Sequence, residues 1–153
     1  MAKRVIAGLV ACMLLMGILP FSAYAVNEAG PTEVQLFDDG IYIEIYTATN
    51  PARVSNTVSG YKEYVCRDSN GTLLWKAKLT ATFAYSGGWY TCTTASCNVT
   101  ISDSQWYVIS NNTVRSSNNA FTYLTMGIKY LGVTVEKPQY TIRLTCDING
   151  NLS

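Results

Sequence analysis

Histidine is missing from the chain, and charged side chains are scarce. The 153 residues include no histidine, and Asp, Glu, Lys and Arg make up 14% of them, against about 25% in typical soluble proteins. The absence of histidine removes the commonest general base and the commonest metal ligand. We therefore expect a protein that is not an enzyme, and we predict no metal site and no cofactor.

Carboxylates placed to act together are lacking as well. The adjacent pair Asp38 and Asp39 runs into Gly40, a sequence that favours a turn over a catalytic dyad. Residues 147–151 alternate oxygen-bearing side chains as a calcium loop does, but their Asn-Gly pair predicts a turn instead. The stretch resembles residues 66–73, and we interpret the two as similar turns rather than as a repeat.

The N-terminus has the layout of a secretory signal peptide. Lys3 and Arg4 precede an uncharged apolar run, residues 5–19. Ala23 and Ala25 then place small side chains at the −3 and −1 positions of a cleavage site. The run is shorter than the roughly 20 residues that span a bilayer as a helix. The pattern therefore predicts a signal-peptide helix that is removed by cleavage.

Cleavage would leave one domain that works outside the cytoplasm. Residues 1–25 are the predicted signal peptide, and residues 26–153 are the predicted secreted domain. The two basic residues of the signal leave with it, which takes the formal net charge from +1 to −1, so no nucleic-acid partner and no stable membrane insertion are expected. Two alternatives remain open: the N-terminal helix is retained uncleaved, or Cys12 is a lipidated anchor.

Alternation of apolar and polar residues dominates residues 26–153. In residues 73–85, Trp75, Leu79 and Phe83 share one side and the lysines lie on the other, as in an antiparallel strand with one solvent-exposed face. No stretch shows a helical period of helical length. We predict an all-β, immunoglobulin-like antiparallel β-sandwich, with a small β-barrel as the alternative. The predicted strands are residues 41–46, 61–67, 73–85, 90–94, 98–102, 106–110, 121–130, 133–136 and 140–147.

Four cysteines lie beyond the predicted signal: Cys66, Cys92, Cys97 and Cys146. An even number of cysteines in an exported domain favours disulfide bonds. We predict Cys92–Cys97, across a four-residue hairpin connection, and Cys66–Cys146, which would link distant strands near Trp75. The spacing matches neither a redox motif nor a zinc motif.

Aromatic side chains carry the candidate binding chemistry. Tyrosine occurs 11 times, and Trp89 and Tyr90 directly follow two glycines. An indole at a loop tip can stack on a sugar ring or insert into a protein partner, because it has an apolar face and a polar N–H. Tyr42 and Tyr46 are predicted to extend this surface. In the alternative, Trp89 folds back over the end of the sandwich.

Parts of the chain resemble a group of short exported β-rich proteins of Gram-positive bacteria. The resemblance is carried by the tail LTCDINGNLS, by residues 76–85 with 91–93 and 95–96, and by residues 129–132. It covers about half of the predicted domain in scattered pieces. The resemblance implies a bacterial exported protein, and it implies no activity and no functional residues.

Together these observations predict a non-enzymatic secreted module that binds through exposed aromatic side chains. The expected partner is a cell-wall polysaccharide, another cell-envelope glycan, or a host or cell-surface protein. A secreted bacteriocin-like or inhibitor protein that acts on a neighbouring cell is the alternative function.

Overall fold

Nine β-strands and no helix make up the part of the protein that the computed structural model describes, which is residues 30–37, 39–50 and 56–153. The predicted signal-peptide helix, with Cys12, lies outside the described residues, as does Asp38. The strands are β1 (Glu33–Leu36), β2 (Tyr42–Asn50), β3 (Thr57–Arg67), β4 (Leu73–Ser86), β5 (Trp89–Ile101), β6 (Trp106–Ser116), β7 (Asn119–Tyr130), β8 (Val133–Glu136) and β9 (Gln139–Thr145).

The strands form two antiparallel sheets. Strands β1 to β5 pair in sequence order as a five-stranded sheet. In the four-stranded sheet, β7 pairs with β6 along one edge and with β8 and β9 along the other. The sheets do not close into a barrel, so the predicted all-β antiparallel sandwich is confirmed.

Strand β4 shows how the alternation builds the core. Five successive residues on the side predicted to face inward are at most 1% exposed. Full burial of a large apolar side chain contributes about 1.5–3 kcal/mol to stability. These residues are Trp75, Ala77, Leu79, Ala81 and Phe83. Lys76 and Lys78 lie on the opposite face, and the Lys78 Nζ atom is 3.7 Å from the ring centroid of Tyr61.

One hydrophobic core joins the two sheets. The Trp75 ring lies 5.0 Å from that of Tyr140 and 6.1 Å from that of Trp106, measured between centroids. All described members of the core fall between Ile41 and Leu152. Residues 26–153 therefore contain the whole of the described core.

Strand β5 corrects the predicted hairpin between Cys92 and Cys97. Both residues lie on this one strand, which pairs with β4 from end to end. Five residues of extended strand separate the two Cα atoms by roughly 16 Å, well beyond the reach of a disulfide bond. Residues 93–96 contain no Gly, Asn, Asp or Pro to reverse the chain, and their threonines favour the extended conformation.

The predicted Cys66–Cys146 bond is wrong too, because all four described cysteines are free. Cys66 pairs with Trp75, whereas Cys146 pairs with Leu152, whose side chain lies against Gly60. Gly60 and Cys66 are six positions apart on β3, which corresponds to roughly 20 Å of strand. The two thiols therefore lie towards opposite ends of the sandwich.

The thiols take part in the core as small apolar groups. Burial raises the pKa of Cys66 to about 12 and that of Cys146 to about 11, with a smaller contribution from the nearby carboxylates of Asp39 and Asp147 respectively. At neutral pH both thiols are consequently protonated, and a protonated thiol is a poor nucleophile and a poor metal ligand.

Candidate functional site

Trp89 stands at the tip of the β4–β5 hairpin. Ser86 and Trp89 pair across a two-residue turn, in which Gly87 and Gly88 have φ angles of 65° and 96°. A type I′ turn requires a positive φ at both central residues, and glycine adopts it without steric cost. Trp89 is 65% exposed, so the alternative in which it folds back over the sandwich end is wrong.

A groove of about 360 Å³ opens beside this indole, and we call it the Trp89 groove. One wall is formed by residues 88–90 of the hairpin, and the opposite wall by residues 146–148 of the C-terminal segment. Ser117 and Asn118, in the turn between β6 and β7, complete the lining. Three segments far apart in sequence therefore meet at this end of the sandwich.

Backbone hydrogen bonds fix the turn between β6 and β7 to both of its neighbours. The N–H of Cys92 donates to the carbonyl oxygen of Ser117 at 2.8 Å, and the N–H of Cys146 donates to that of Asn118 at 2.9 Å. The Asn118 side-chain amide also donates to the Cys146 carbonyl oxygen at 2.7 Å. The turn thereby connects β5 of one sheet with the segment that follows β9 of the other.

The C-terminal wall is held by an aspartate turn. Asp147 Oδ1 accepts the N–H groups of Asn149 and Asn151, each at 2.8 Å, and Oδ2 accepts the Asn151 side-chain amide at 2.8 Å. These hydrogen bonds lower the pKa of the Asp147 carboxyl, the Asn151 side chain having the largest effect. The turn predicted for residues 147–151 is confirmed, and Ile148 stands exposed on it beside the groove.

The Tyr90 side chain is packed against neighbouring residues and is less accessible to a ligand than Trp89. Its ring lies 5.0 Å from that of Tyr85, and part of it packs against the core. A Cβ atom on Gly150 would lie 3.1 Å from the Tyr90 hydroxyl oxygen, so the ring also contacts the C-terminal turn. Of the two predicted aromatics at this tip, Trp89 alone is freely exposed.

Tyr42 and Tyr46 lie on the outer face of the five-stranded sheet. The Tyr46 hydroxyl donates to Glu44 at 3.2 Å, and the same carboxylate oxygen accepts the Nε–H of Arg67 at 2.9 Å. This hydrogen bond to Glu44 is the main reason that the pKa of Arg67 is raised. Both tyrosines are half-buried, and Tyr46 belongs to a polar network on β2 and β3.

The structure does not bring Tyr42 and Trp89 into one site. Tyr42 pairs with Arg67, which pairs with Leu73 at the start of β4. Trp89 pairs with Ser86 at the end of β4. The length of β4 is roughly 40 Å, so the surface predicted for the four aromatics separates into two.

A second concavity lies between β1 and β9, with a volume of about 410 Å³. Its aromatic lining consists largely of core side chains, since Tyr64 and Trp106 are 9% and 6% exposed. The Tyr64 hydroxyl is occupied by a bond to the Thr141 carbonyl oxygen at 3.3 Å. Phe37, which is 42% exposed, and the polar side chains Asp39 and Glu136 also line this cleft. The Trp89 groove is the better candidate for aromatic stacking, because Trp89 is 65% exposed.

The groove residues Ser117, Asn118 and Ile148 were not predicted from the sequence. The Asn118-Asn119 and Asn149-Gly150 pairs mark both turns as turns. Nothing local in the sequence indicates that these turns meet beside Trp89, because that contact depends on how the two sheets pack.

Fold and site together define the class: an antiparallel β-sandwich with an aromatic-walled groove at one end. Comparison of the chain with protein-family models, with curated proteins and with solved structures finds no match. Among residues 30–37, 39–50 and 56–153, no helix is long and apolar enough to cross a membrane. Within the same ranges, no three His, Cys, Asp or Glu side chains are grouped as a metal site requires.

Proposed function

We propose that this protein is a non-enzymatic binding module that takes a cell-envelope glycan into the Trp89 groove. The observation that carries the proposal is the 65% exposure of an indole on a turn whose backbone is fixed by two glycines. The apolar C–H face of a sugar ring can stack on such an indole, and its hydroxyls need polar partners nearby.

Polar groups of the groove retain unused hydrogen-bonding capacity. Asp147 Oδ2 accepts one hydrogen bond, and a carboxylate oxygen has two lone pairs. The Asn118 side-chain amide donates one hydrogen bond, to Cys146, and its oxygen accepts one, from Asn119. One further N–H and one further lone pair thus remain on Asn118 for sugar hydroxyls.

The chemistry of the lining favours binding over catalysis. Asp147 is the one carboxylate among the described lining residues, and glycoside hydrolysis ordinarily uses two. The thiol of Cys146 has a pKa raised to about 11 by burial, which opposes a role as nucleophile. The predicted signal peptide supports a ligand outside the cytoplasm, such as a wall polysaccharide.

Co-sedimentation of residues 26–153 with insoluble peptidoglycan and insoluble polysaccharides tests the proposal. We expect the protein to pellet, and we expect Trp89→Ala to weaken binding about tenfold to a hundredfold, since an aromatic ring buried on binding contributes about 1.5–3 kcal/mol. Tyr123→Ala is the matched control, because Tyr123 is a 49% exposed aromatic on β7, remote from the groove.

Unchanged pelleting of a folded Trp89→Ala variant would contradict the site. Wild-type protein that stays in the supernatant with every glycan would contradict the function. In that event a diffusible effector becomes the better hypothesis, and clearing of a bacterial lawn by the purified protein would test it.

A further inference from the structure

The tip of the β7–β8 hairpin is an exposed apolar projection, which we call the Leu131 tip. Leu131 is 88% exposed, and Tyr130, Val133 and Val135 are each more than half exposed. Strand β8 pairs with β7 alone. Soluble proteins leave single apolar residues exposed at random, but four within six positions form a patch that indicates an interaction.

The backbone at this tip is strained, because a leucine occupies a turn position with a positive φ angle. Tyr130 and Val133 pair across a two-residue turn, in which Leu131 and Gly132 have φ angles of 50° and 81°. Both are positive, as in a type I′ turn, whose first central position favours Asn, Asp or Gly. A bulky side chain is disfavoured there by contact of its Cβ with the backbone. The leucine side chain therefore occupies the most projecting position despite a local cost.

A brace at the base keeps the tip in place. The Tyr107 ring lies so close over Gly127 that a Cβ atom there would be 2.3 Å from the ring. The Tyr107 and Thr134 hydroxyl oxygens are 2.5 Å apart, within hydrogen-bonding distance. The Lys129 Nζ atom is 4.6 Å from the centroid of the same ring, close enough for a cation–π contact. Tyr107 of β6 thereby connects β6 with β8 across β7.

The side chains of the hairpin are of the types that suit a membrane interface. Leu131 stands at the tip, Tyr130 and Val133 pair next to it, Lys129 pairs with Thr134 one position further back, and Val135 follows on β8. Leucine suits the acyl-chain boundary, tyrosine the headgroup level, and lysine the level of the phosphates. A narrow convex tip also offers little contact area to a flat protein surface, whereas a fluid lipid interface can close around it.

We propose that the Leu131 tip inserts shallowly into the interface of a lipid bilayer. Burial of apolar side chains drives the insertion, because the formal net charge of residues 26–153 is close to zero and one lysine at the base supplies little electrostatic attraction. The tip anchors the protein reversibly and does not span the bilayer.

Vesicle co-sedimentation of residues 26–153, which contain the entire described core, tests the proposal. The probes are vesicles of phosphatidylcholine alone and of phosphatidylcholine mixed with phosphatidylglycerol. We expect binding to both, with little dependence on salt. Leu131→Asn should lower the bound-to-free ratio about tenfold or more, since burial of one leucine is lost. The variant should fold well, because Asn-Gly is the favoured type I′ pair.

Leu36→Asn is the matched control. Leu36 is 81% exposed, on the edge strand β1, so the substitution removes an equally exposed leucine from another surface and should leave vesicle binding unchanged. Three results would overturn the proposal: wild-type protein that binds neither vesicle, equal binding by folded Leu131→Asn, or binding that requires phosphatidylglycerol and disappears at high salt.

Discussion

The tips of the β4–β5 and β7–β8 hairpins have matching backbones and opposite chemistry. Gly87 and Gly88 have φ angles of 65° and 96°, and Leu131 and Gly132 have φ angles of 50° and 81°. Both turns therefore have two central residues with positive φ. The first turn uses two glycines and places Trp89 directly after itself, on a strand position. The second places its apolar side chain within the turn.

This difference separates two ways of presenting an apolar group. A residue beside the turn lies on a strand, where its backbone is unstrained and where neighbouring segments can form a second wall, as residues 146–148 do for Trp89. A residue within the turn projects beyond its neighbours and carries backbone strain. The first arrangement suits a ligand that enters a groove, and the second suits a surface that surrounds the tip.

In each sheet one glycine is covered by a neighbouring side chain, Gly60 by Leu152 and Gly127 by Tyr107. Replacement of these glycines should have the largest effect on stability. A Cβ atom on Gly60 would lie 2.2 Å from the Ala48 carbonyl oxygen and 2.3 Å from Leu152. On Gly127 it would meet the Tyr107 ring, which can shift only by loosening its contacts with Thr134 and Lys129. We expect Gly60→Ala to lower the free energy of unfolding by about 2–3 kcal/mol and Gly127→Ala by about 1 kcal/mol.

Urea denaturation of both variants measures these values. The physical reason for the order is that a backbone carbonyl held in the β2–β3 ladder cannot shift without breaking hydrogen bonds. If Gly127→Ala were the more destabilising of the two, the Tyr107 brace would be more rigid than the β2–β3 pairing.

Substitutions within the turns should change stability in opposite directions. Gly88→Ala places a Cβ atom at a φ of 96°, and we expect a loss of about 1–2 kcal/mol. Leu131→Asn replaces a strained leucine with a residue that tolerates positive φ, and we expect a gain of about 0.5–1 kcal/mol. Thermal and urea unfolding of both variants check the signs. A loss of stability in Leu131→Asn would mean that Leu131 packs against the fold.

Long alternation allowed the fold class to be predicted from the sequence. The inward face of β4 was predicted correctly from Trp75 to Phe83, because a long period-two pattern leaves one consistent assignment. At the ends of the strand the pattern failed, since Tyr85 is 40% exposed and Leu74 is 6% exposed. Strand β5 was divided in two because Cys92 and Cys97 suggested a hairpin. Strand β1 was missed, since four residues carry too little pattern to be distinguished from a polar loop.

The candidate site was predictable only in its local part. The Gly87-Gly88 pair indicates a tight turn, and therefore an exposed position for Trp89. Tyr42 was assigned to the same surface because alternation gives the face of a residue but not its position along the sheet. The turn at Leu131-Gly132 was not predicted, because leucine is not among the residues that favour positive φ.

Two aspartate turns extend the comparison of the two ends, because they share two backbone hydrogen bonds, whereas Asp147 also accepts the side-chain amide of Asn151. Asp68 Oδ1 accepts the N–H groups two and four residues later at 2.9 and 2.8 Å, and Asp147 Oδ1 accepts the equivalent pair at 2.8 Å each. These bonds hold the pKa of each carboxyl below its ordinary value of 3.8. The turns differ in position, because Asp147 borders the Trp89 groove and Asp68 does not.

Asp68→Asn and Asp147→Asn should therefore both lower stability, Asp147→Asn by more because it also weakens the bond to the Asn151 side chain, and they should change glycan binding differently. A depressed pKa in the folded state stabilises the protein above the unfolded-state pKa, and this contribution is lost as the pH falls through the folded-state value. Each variant should be less stable than wild type at neutral pH, and the difference should shrink below pH 3.8. Urea midpoints at neutral and acid pH measure this effect.

In the sedimentation assay Asp147→Asn alone should bind glycan more weakly, since it weakens an acceptor at the groove. Equal loss of binding in both variants would show that the aspartates act through general stability, and that the groove makes no use of the free lone pair on Asp147.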